Sequence, residues 1–306
     1  MSEALLAEYI RDGIVESKHF GHLVALDKDG NVKYFKGDGN ALIFPRSAVK
    51  SIQASAMVRV GLKLNPKQLA LVCASHSGSD EHQKTALEIL ATVGLDESSL
   101  QCVMDKPLGD AERRAWGDKP ATRLAMNCSG KHSGMVATTA LNNWPIESYL
   151  DRNHPLQLAI KAEFELLSGE QMAATSIDGC GAPLFLFSLR GLATAIHRLM
   201  ISTDPVHREV VNACLVNPKM IAGVGRLDTE LMSQYPGLFL KGGAEGVQVA
   251  AYESGISVAF KVSDGSFRAH EVILANALAQ LGVDIEVHKP EVMGGGNKIG
   301  EIRATK

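Results

Sequence analysis

Apolar and polar positions alternate along the first forty residues, most clearly at 21–27 and 32–36 on either side of an Asp29-Gly30 turn. Successive strand side chains point to opposite faces, so this period predicts a β-hairpin. From Pro45 to about Gly223 the apolar spacing lengthens to three and four, predicting helices near 47–62, 80–93, 132–142, 155–167, 187–201 and 205–216. Ser79 ahead of Asp80 and Glu81 is expected to cap the second of these. Strand-like alternation returns at 238–241, 246–252 and 255–262. A helix follows over 267–281, then a last strand pair broken at Gly294-Gly295-Gly296-Asn297. Strands at both ends with helices between predict an α+β fold: an antiparallel sheet from both chain ends, with a helical portion inserted. A doubly wound dinucleotide fold is excluded. With no internal repeat, low-complexity tract or long linker, residues 1–306 read as a single compact domain, the sheet part at about 1–44 and 236–306 and the helical part at about 45–235.

Composition narrows the function. A chain of 306 residues, 45% hydrophobic and 21% charged, can bury a sizeable core, which excludes disorder, collagen-like repeats and a disulfide-stapled miniprotein. Thirty-four acidic against 31 basic residues leave a net charge of -3, with no footprint for nucleic acid or an anionic membrane. A small-molecule ligand is expected. No apolar run approaches the roughly 18 residues of a membrane span, and residues 1–12 lack the basic start and apolar stretch of a signal peptide, so a cytoplasmic protein is expected. Five cysteines, Cys73, Cys102, Cys128, Cys180 and Cys214, are odd in number and without C-x-x-C, which speaks for core thiols or ligands rather than a disulfide framework.

The run Arg46-Ser47-Ala48-Val49-Lys50 after Pro45 opens an apolar-periodic helix, which sets Ser47 and Lys50 on one face. Residues three apart on a helix bring Cβ atoms to about 5–6 Å, within reach of a lysine amine for a serine hydroxyl. The hydroxyl becomes a nucleophile once a neighbour removes its proton, and a lysine does this when burial or a nearby cation keeps it partly neutral. Alone, the pair reads equally as a helix cap and a solvated charge. A second segment changes that balance: at 238–246 a short apolar strand ends in Lys241, followed by Gly242 and Gly243. Missing side chains let a ligand approach the backbone, so strand N–H groups can receive an oxyanion while Lys241 supplies a cation. S-x-x-K followed by a lysine strand is the order found in penicillin-binding proteins and β-lactamases, although Gly242 stands where that pattern has a hydroxyl residue. A third segment, the apolar run 69–74 halted at Ser75-His76-Ser77-Gly78, reads as a buried element that delivers Ser75 to a pocket as a proton relay, or as an ordinary loop after a core strand.

Two cysteine-bearing turns, 127–134 and 176–183, are dense in polar groups. The first lacks the G-x-x-x-x-G-K-[ST] loop, so nucleotide binding is rejected. In the second, Asp178 on a glycine-rich turn suits the ammonium of an amino-acid substrate. Cys128 and Cys180 read either as free buried thiols or as ligands of a soft metal such as zinc. Arg226, on the Gly223-Val224-Gly225 loop, is placed to clamp a carboxylate.

Together these segments resemble the L-asparaginase II family of the thermolabile, Rhizobium etli type. The resemblance runs over nearly the whole chain and rests on Gly13-Ile14-Val15-Glu16, the run 46–50, Cys73-Ala74-Ser75-His76-Ser77, the stretch 127–135, Asp178-Gly179-Cys180, the stretch 218–223 and Lys241-Gly242-Gly243-Ala244-Glu245-Gly246. It implies a serine-β-lactamase-like fold, a homodimer, and hydrolysis of L-asparagine to L-aspartate and ammonia. It casts Ser47 with Lys50, and Ser75 with Lys241, as two serine–lysine pairs. Arg46, His76, Asp178, Gly242 and Gly243 are expected to line the substrate. No cofactor is expected to be required for the chemistry, and the resemblance implies that Cys128, Lys131 and Cys180 can hold zinc.

Overall fold

The computed structural model describes residues 2–305. Along the chain run strands β1 (Ala4–Arg11), β2 (Ile14–Leu26), β3 (Val32–Lys36) and β4 (Leu42–Ile43), then helices α1 (Lys50–Arg59), α2 (Pro66–Val72), α3 (Asp80–Ala91), α4 (Asp110–Trp116), α5 (Ser129–Leu141) and α6 (Pro155–Ser168). Strands β5 (Ala174–Ile177) and β6 (Pro183–Ser188) precede α7 (Leu189–Ile201), α8 (Pro205–Val216), α9 (Pro218–Ile221) and α10 (Leu227–Gln234). Strands β7 (Leu238–Gly243), β8 (Val247–Tyr252) and β9 (Ser257–Val262), helix α11 (His270–Ala279) and strands β10 (Glu291–Gly294) and β11 (Asn297–Ala304) complete the order. The fold is α+β. Two compact units divide it: a sheet unit of 1–48, 187–201 and 240–306, and a helical unit of 49–186 and 202–239.

The sheet unit is ordered β10-β11-β1-β2-β9-β8-β7, with β3 paired to β2 beside the path. The chain ends meet in it, since β1 runs antiparallel to β11 from Ala7 opposite Ala304 to Arg11 opposite Gly300. β2 is long enough to serve two edges. Its first part pairs with β1, and its last residues, Leu23–Leu26, lie between β3 and β9. Helix α7 lies on β2, β8 and β9, and α11 on β1, β9 and β11. The period-3.6 pattern at 187–201 predicts α7 as a helix but carries no sign that it belongs with the strands rather than with the other helices. Its buried Leu192, Ala193, Ile196 and Leu199 form the apolar stripe that the sheet covers.

The helical unit is built around α2, whose Leu69, Ala70, Leu71 and Val72 are all buried. It touches α1, α3, α5, α8 and α9. The apolar run that reads as a core strand is therefore a short helix. Its start follows from Asn65 and Gln68, which form a reciprocal capping box with Pro66 in the first turn. Ser79 caps α3, its hydroxyl accepting from the His82 N–H. The polar stretch 129–134 is also helical rather than a turn. Gly130 and Gly134 let α5 lie directly on α2: a Cβ at Gly130 would come 2.5 Å from the Leu71 carbonyl oxygen, and one at Gly134 2.8 Å from Val72. Poor intrinsic helix formers are tolerated there because this close packing offsets their propensity.

Candidate active site

The chemistry-bearing residues divide between the units. In the helical unit, Lys50 is the first residue of α1 and is 1% exposed. Its Nζ donates to the Ala74 carbonyl and lies 3.2 Å from Ser75 Oγ and 3.1 Å from Cys128 Sγ. Ser75 belongs to an extended stretch that follows α2. Its N–H donates to Ile221 O at 3.0 Å, the His76 N–H to Asn127 O at 3.1 Å and the Ser77 N–H to Ala222 O at 2.6 Å, so the stretch is held from both sides. Arg226 Nη1 donates to the Ser75 carbonyl at 2.9 Å. This guanidinium, expected to meet a substrate carboxylate, braces the backbone of Ser75 instead. The close approach also needs Gly223, at φ +127°, because a Cβ there would meet Ser77 Oγ at 2.2 Å.

Next to Lys50 lies a buried group of sulfur and nitrogen. Cys128 stands at the N-cap of α5, and Lys131, one turn on, brings Nζ to 3.1 Å from Cys180 Sγ. Cys180 sits on a tight turn in which the Gly181 N–H donates to Asp178 O at 2.8 Å and the Asp178 N–H to Ala182 O at 2.9 Å. A hydrogen bond from Cys128 and the ammonium of Lys131, working against burial, bring the Cys180 thiol down to about 5. The same hydrogen bond and burial push Cys128 well above the ordinary thiol range. Burial disfavours a charged Lys131, but the neighbouring Cys180 and Cys128 outweigh it and hold the ammonium. Asp178 adds a carboxylate, with Oδ2 3.7 Å from Cys180 Sγ and Oδ1 accepting from the Gly179 N–H.

His76 is fully buried and both of its ring nitrogens are used internally, which corrects its expected place against the substrate. Nδ1 accepts from the Gly78 N–H at 3.1 Å, so Nε2 carries the hydrogen and donates to Ser129 Oγ at 2.9 Å; that hydroxyl in turn donates to Leu124 O. Burial first, then the nearby His82, Lys50 and Arg226, hold His76 well below the usual imidazole range and therefore neutral. Its work is to tie the Ser75 stretch to the start of α5. Sequence pattern carries no signal for a similar pair deeper in the unit, where the Tyr149 hydroxyl accepts from the Gln101 N–H and shares a 2.8 Å hydrogen bond with His132 Nδ1.

In the sheet unit, Ser47 stands in a 3-10 turn over Arg46–Val49. The N-cap of α1 is Val49, so Ser47 does not cap that helix. The turn lies on the end of β7. A Cβ at Gly243 would come 2.5 Å from Pro45 O and 3.3 Å from Ser47 N, so only a glycine strand end admits the Ser47 backbone. Lys241 is two residues earlier on the same face, 1% exposed, with Nζ donating to Gly242 O at 2.8 Å. Arg46 adopts φ +52°, an unfavourable conformation for a side chain with a Cβ, and its Nη1 lies 4.0 Å from Glu245 Oε1.

A family model described as L-asparaginase II matches residues 7–304 of this chain. The chain belongs to the L-asparaginase II family. No curated protein sequence matches it. Among solved structures it is similar to Mglu in its native form (TM-score 0.44, 12% identity, 86% of this chain and 62% of that one). It is also similar to a putative beta-lactamase from Bacteroides dorei DSM 17855 (TM-score 0.42, 13% identity, 79% and 85%) and to a Bacillus glutaminase (TM-score 0.35, 13% identity, 79% and 83%). The chain thus spans less than two thirds of the length of the Mglu chain. Among the described residues no helix is long and apolar enough to cross a membrane.

For an L-asparaginase II, the implied zinc ligands Cys128, Lys131 and Cys180 form an unusual set. Among the described residues, no three His, Cys, Asp or Glu side chains gather to hold a metal. Of these donors, the Lys131 amine lies 3.1 Å from Cys180 Sγ, and Cys128 Sγ lies 3.1 Å from the amine of Lys50. Soft sulfur and nitrogen are donors zinc accepts, and three of them leave one position of a tetrahedron open. The donors fit a zinc ion once Lys131 gives up its proton.

Proposed function

We propose that this L-asparaginase II hydrolyses L-asparagine to L-aspartate and ammonia through a serine acyl-enzyme, as a cytoplasmic homodimer. The observation that supports it most directly is the buried Lys50 amine 3.2 Å from Ser75 Oγ, on a stretch held from both sides. Ser47, three residues before Lys50 in the S-x-x-K pattern, attacks the side-chain amide carbon. Lys50 and Ser75 exchange the proton that must travel from the attacking hydroxyl to the departing nitrogen. Backbone N–H groups at Gly242 and Gly243 receive the oxyanion, with Lys241 supplying positive charge. Arg46 takes the α-carboxylate of the substrate and Asp178 its α-ammonium. Ammonia leaves, and water cleaves the aspartyl ester by the reverse proton path. When zinc is bound at Cys128, Lys131 and Cys180, it supplies a Lewis acid.

Ammonia release from L-asparagine, with L-glutamine alongside, tests the activity in metal-stripped protein before and after zinc is restored. Release from asparagine is expected; silence on both amides in folded protein would make the chain a non-catalytic amino-acid-binding protein. Ser47→Ala should lower turnover about a thousandfold or more and abolish covalent trapping of substrate. Ser75→Ala should slow turnover yet still trap. If Ser47→Ala still forms the acyl-enzyme, Ser75 is the nucleophile.

A further inference from the structure

Elsewhere in the helical unit, another serine meets a proton acceptor. The run Ser202-Thr203-Asp204-Pro205-Val206-His207 starts α8: Asp204 is the N-cap, its Oδ1 accepting from the Val206 N–H at 2.9 Å, and Pro205 opens the first turn. That turn brings His207 back onto Ser202, whose Oγ lies 2.7 Å from Nδ1 and accepts from the Asp204 N–H at 3.1 Å. Across the ring, Nε2 lies 2.6 Å from Glu163 Oε1 of α6. Burial raises the Glu163 carboxyl, but the Arg59 and His207 bonds outweigh it and keep it ionised at neutral pH, and a carboxylate only accepts. Arg59 Nη2 also comes within 3.1 Å of His207 Nε2, yet both of its hydrogens are taken, by Glu163 Oε1 and Asp204 Oδ2, each at 2.9 Å. Nε2 therefore carries the ring hydrogen, and Nδ1 is left to accept from the Ser202 hydroxyl. His207 and Glu163 are buried, while Ser202 is part-exposed between the exposed Ile201 and Thr203. Starting the helix requires Asp204; it requires neither an imidazole on the serine nor a buried carboxylate behind that imidazole.

We propose that Ser202, His207 and Glu163 form a second nucleophilic centre, sharing no residue with the Ser47 and Ser75 groups, at which Ser202 takes a small acyl group from an activated ester. Ser202 Oγ attacks the ester carbonyl carbon as its proton passes to His207 Nδ1. The Oγ–C bond forms, the bond from that carbon to the ester oxygen breaks, and the imidazolium returns the proton to the departing oxygen. The balance is one serine and one ester giving one acyl-serine and one alcohol. Glu163 is a positioning residue: it holds the ring hydrogen at Nε2 and stabilises the imidazolium while the proton is in transit. The part-exposed hydroxyl admits a small acyl donor from solvent.

The test exposes the full chain to p-nitrophenyl acetate at neutral pH, quenches in acid after short times and maps acetyl groups by mass. Trypsin releases residues 199–208 as one peptide in which Ser202 is the only serine. Ser98 is the internal control, an exposed serine whose hydroxyl donates to the Asp96 carboxylate at 2.6 Å rather than to an imidazole. Ser202 should be acetylated at least about a hundredfold faster than Ser98, the scale of general-base assistance. His207→Gln should bring Ser202 down to the rate of Ser98, and Glu163→Gln should lower the rate at Ser202 while leaving that at Ser98 unchanged, both read at a temperature where circular dichroism shows the fold intact. The proposal is overturned if Ser202 is acetylated no faster than Ser98 in the native chain, a comparison that needs no variant to fold, or if a folded His207→Gln protein is acetylated at Ser202 as fast as the native one. Because the adduct is located by mass, acylation of Ser47 or Ser75 does not enter the result, and the outcome is independent of whether asparagine is the substrate.

Discussion

Lys50, Lys131 and Lys241 are each at most 2% exposed. A buried amine is costly to a fold unless its donors are met, and each of these has a named acceptor: a carbonyl and a hydroxyl for Lys50, a sulfur for Lys131, a carbonyl for Lys241. The sequence shows which residue types are present, through S-x-x-K and the Lys241-Gly242-Gly243 strand, but not who meets whom. Lys50 reaches Ser75, 25 positions on, because α2 turns the chain back, and no spacing rule covers that contact. His76 lies beside Ser75 in the sequence and looks equally available; only burial shows that its nitrogens are spent. Gly243 is the residue whose role is most sharply defined by contact. Gly243→Ala would set a methyl 2.5 Å from the Pro45 carbonyl oxygen, backbone that has no side chain to swing away. We expect a stability loss of about 1–3 kcal/mol with a much larger fall in ammonia release, because the Ser47 turn must shift. Thermal unfolding beside steady-state kinetics checks this, and an alanine variant with unchanged turnover would separate Ser47 from the chemistry.

Elements with a sustained period or a strong cap are legible in the sequence: the β2–β3 hairpin, α3 behind Ser79, α6, α8, strands β7 to β9 and helix α11. Those that pattern does not disclose are short or carried by packing. Helix α2 has seven residues, too few to show a period, and its capping box at Asn65 and Gln68 is the one signal for it. The start of α5 is rich in Gly and Ser and is helical because it lies on α2. Between elements, the most consequential join has no counterpart in residue spacing. Glu163 on α6 is 3% exposed, yet accepts from Arg59 of α1 at 2.7 and 2.9 Å and meets His207 Nε2 of α8 at 2.6 Å. Burial alone would raise this carboxyl; the Arg59 and His207 bonds outweigh it and bring it below its ordinary value. A carboxyl lowered in the folded state contributes stability that is present above its unfolded value, near pH 4.5, and lost as pH falls through its lower folded value. Glu163→Gln should therefore cost about 2 kcal/mol at neutral pH and flatten the acid limb of the stability curve, since a half-exposed Arg59 recovers some hydration. Urea melts from pH 7 to 3 would show it, and parallel curves for the two proteins would refute it.

At the scale of the whole molecule, the chain closes on itself through the sheet unit. β1 is formed by the first residues and β11 by the last, and neither has a full set of partners without the other. The junction is locked from the side: Lys36 Nζ donates to Leu5 O at 3.2 Å, Thr305 O at 2.8 Å and Thr305 Oγ1 at 2.6 Å, so one lysine from β3 holds both ends of the sequence. Beneath the junction, Leu6, Ile10, Val292 and Ile302 are buried, and α11 lies on β1 and β11 together. Pairing residues this distant must wait for the whole chain and is entropically expensive to start, so the last strands complete the sheet rather than decorate it. A chain ending at Pro290 lacks β10 and β11 and leaves the edge of β1 open. An open apolar edge is a template for intermolecular pairing. The truncated chain is expected to aggregate, or to stay in solution with residues 1–48 and 240–290 cleaved rapidly by protease. Limited proteolysis read by mass decides it. Protection of β1 equal to that in the full chain would mean that the sheet is held by α7, β2 and β9 alone and that the meeting of the termini carries no stability.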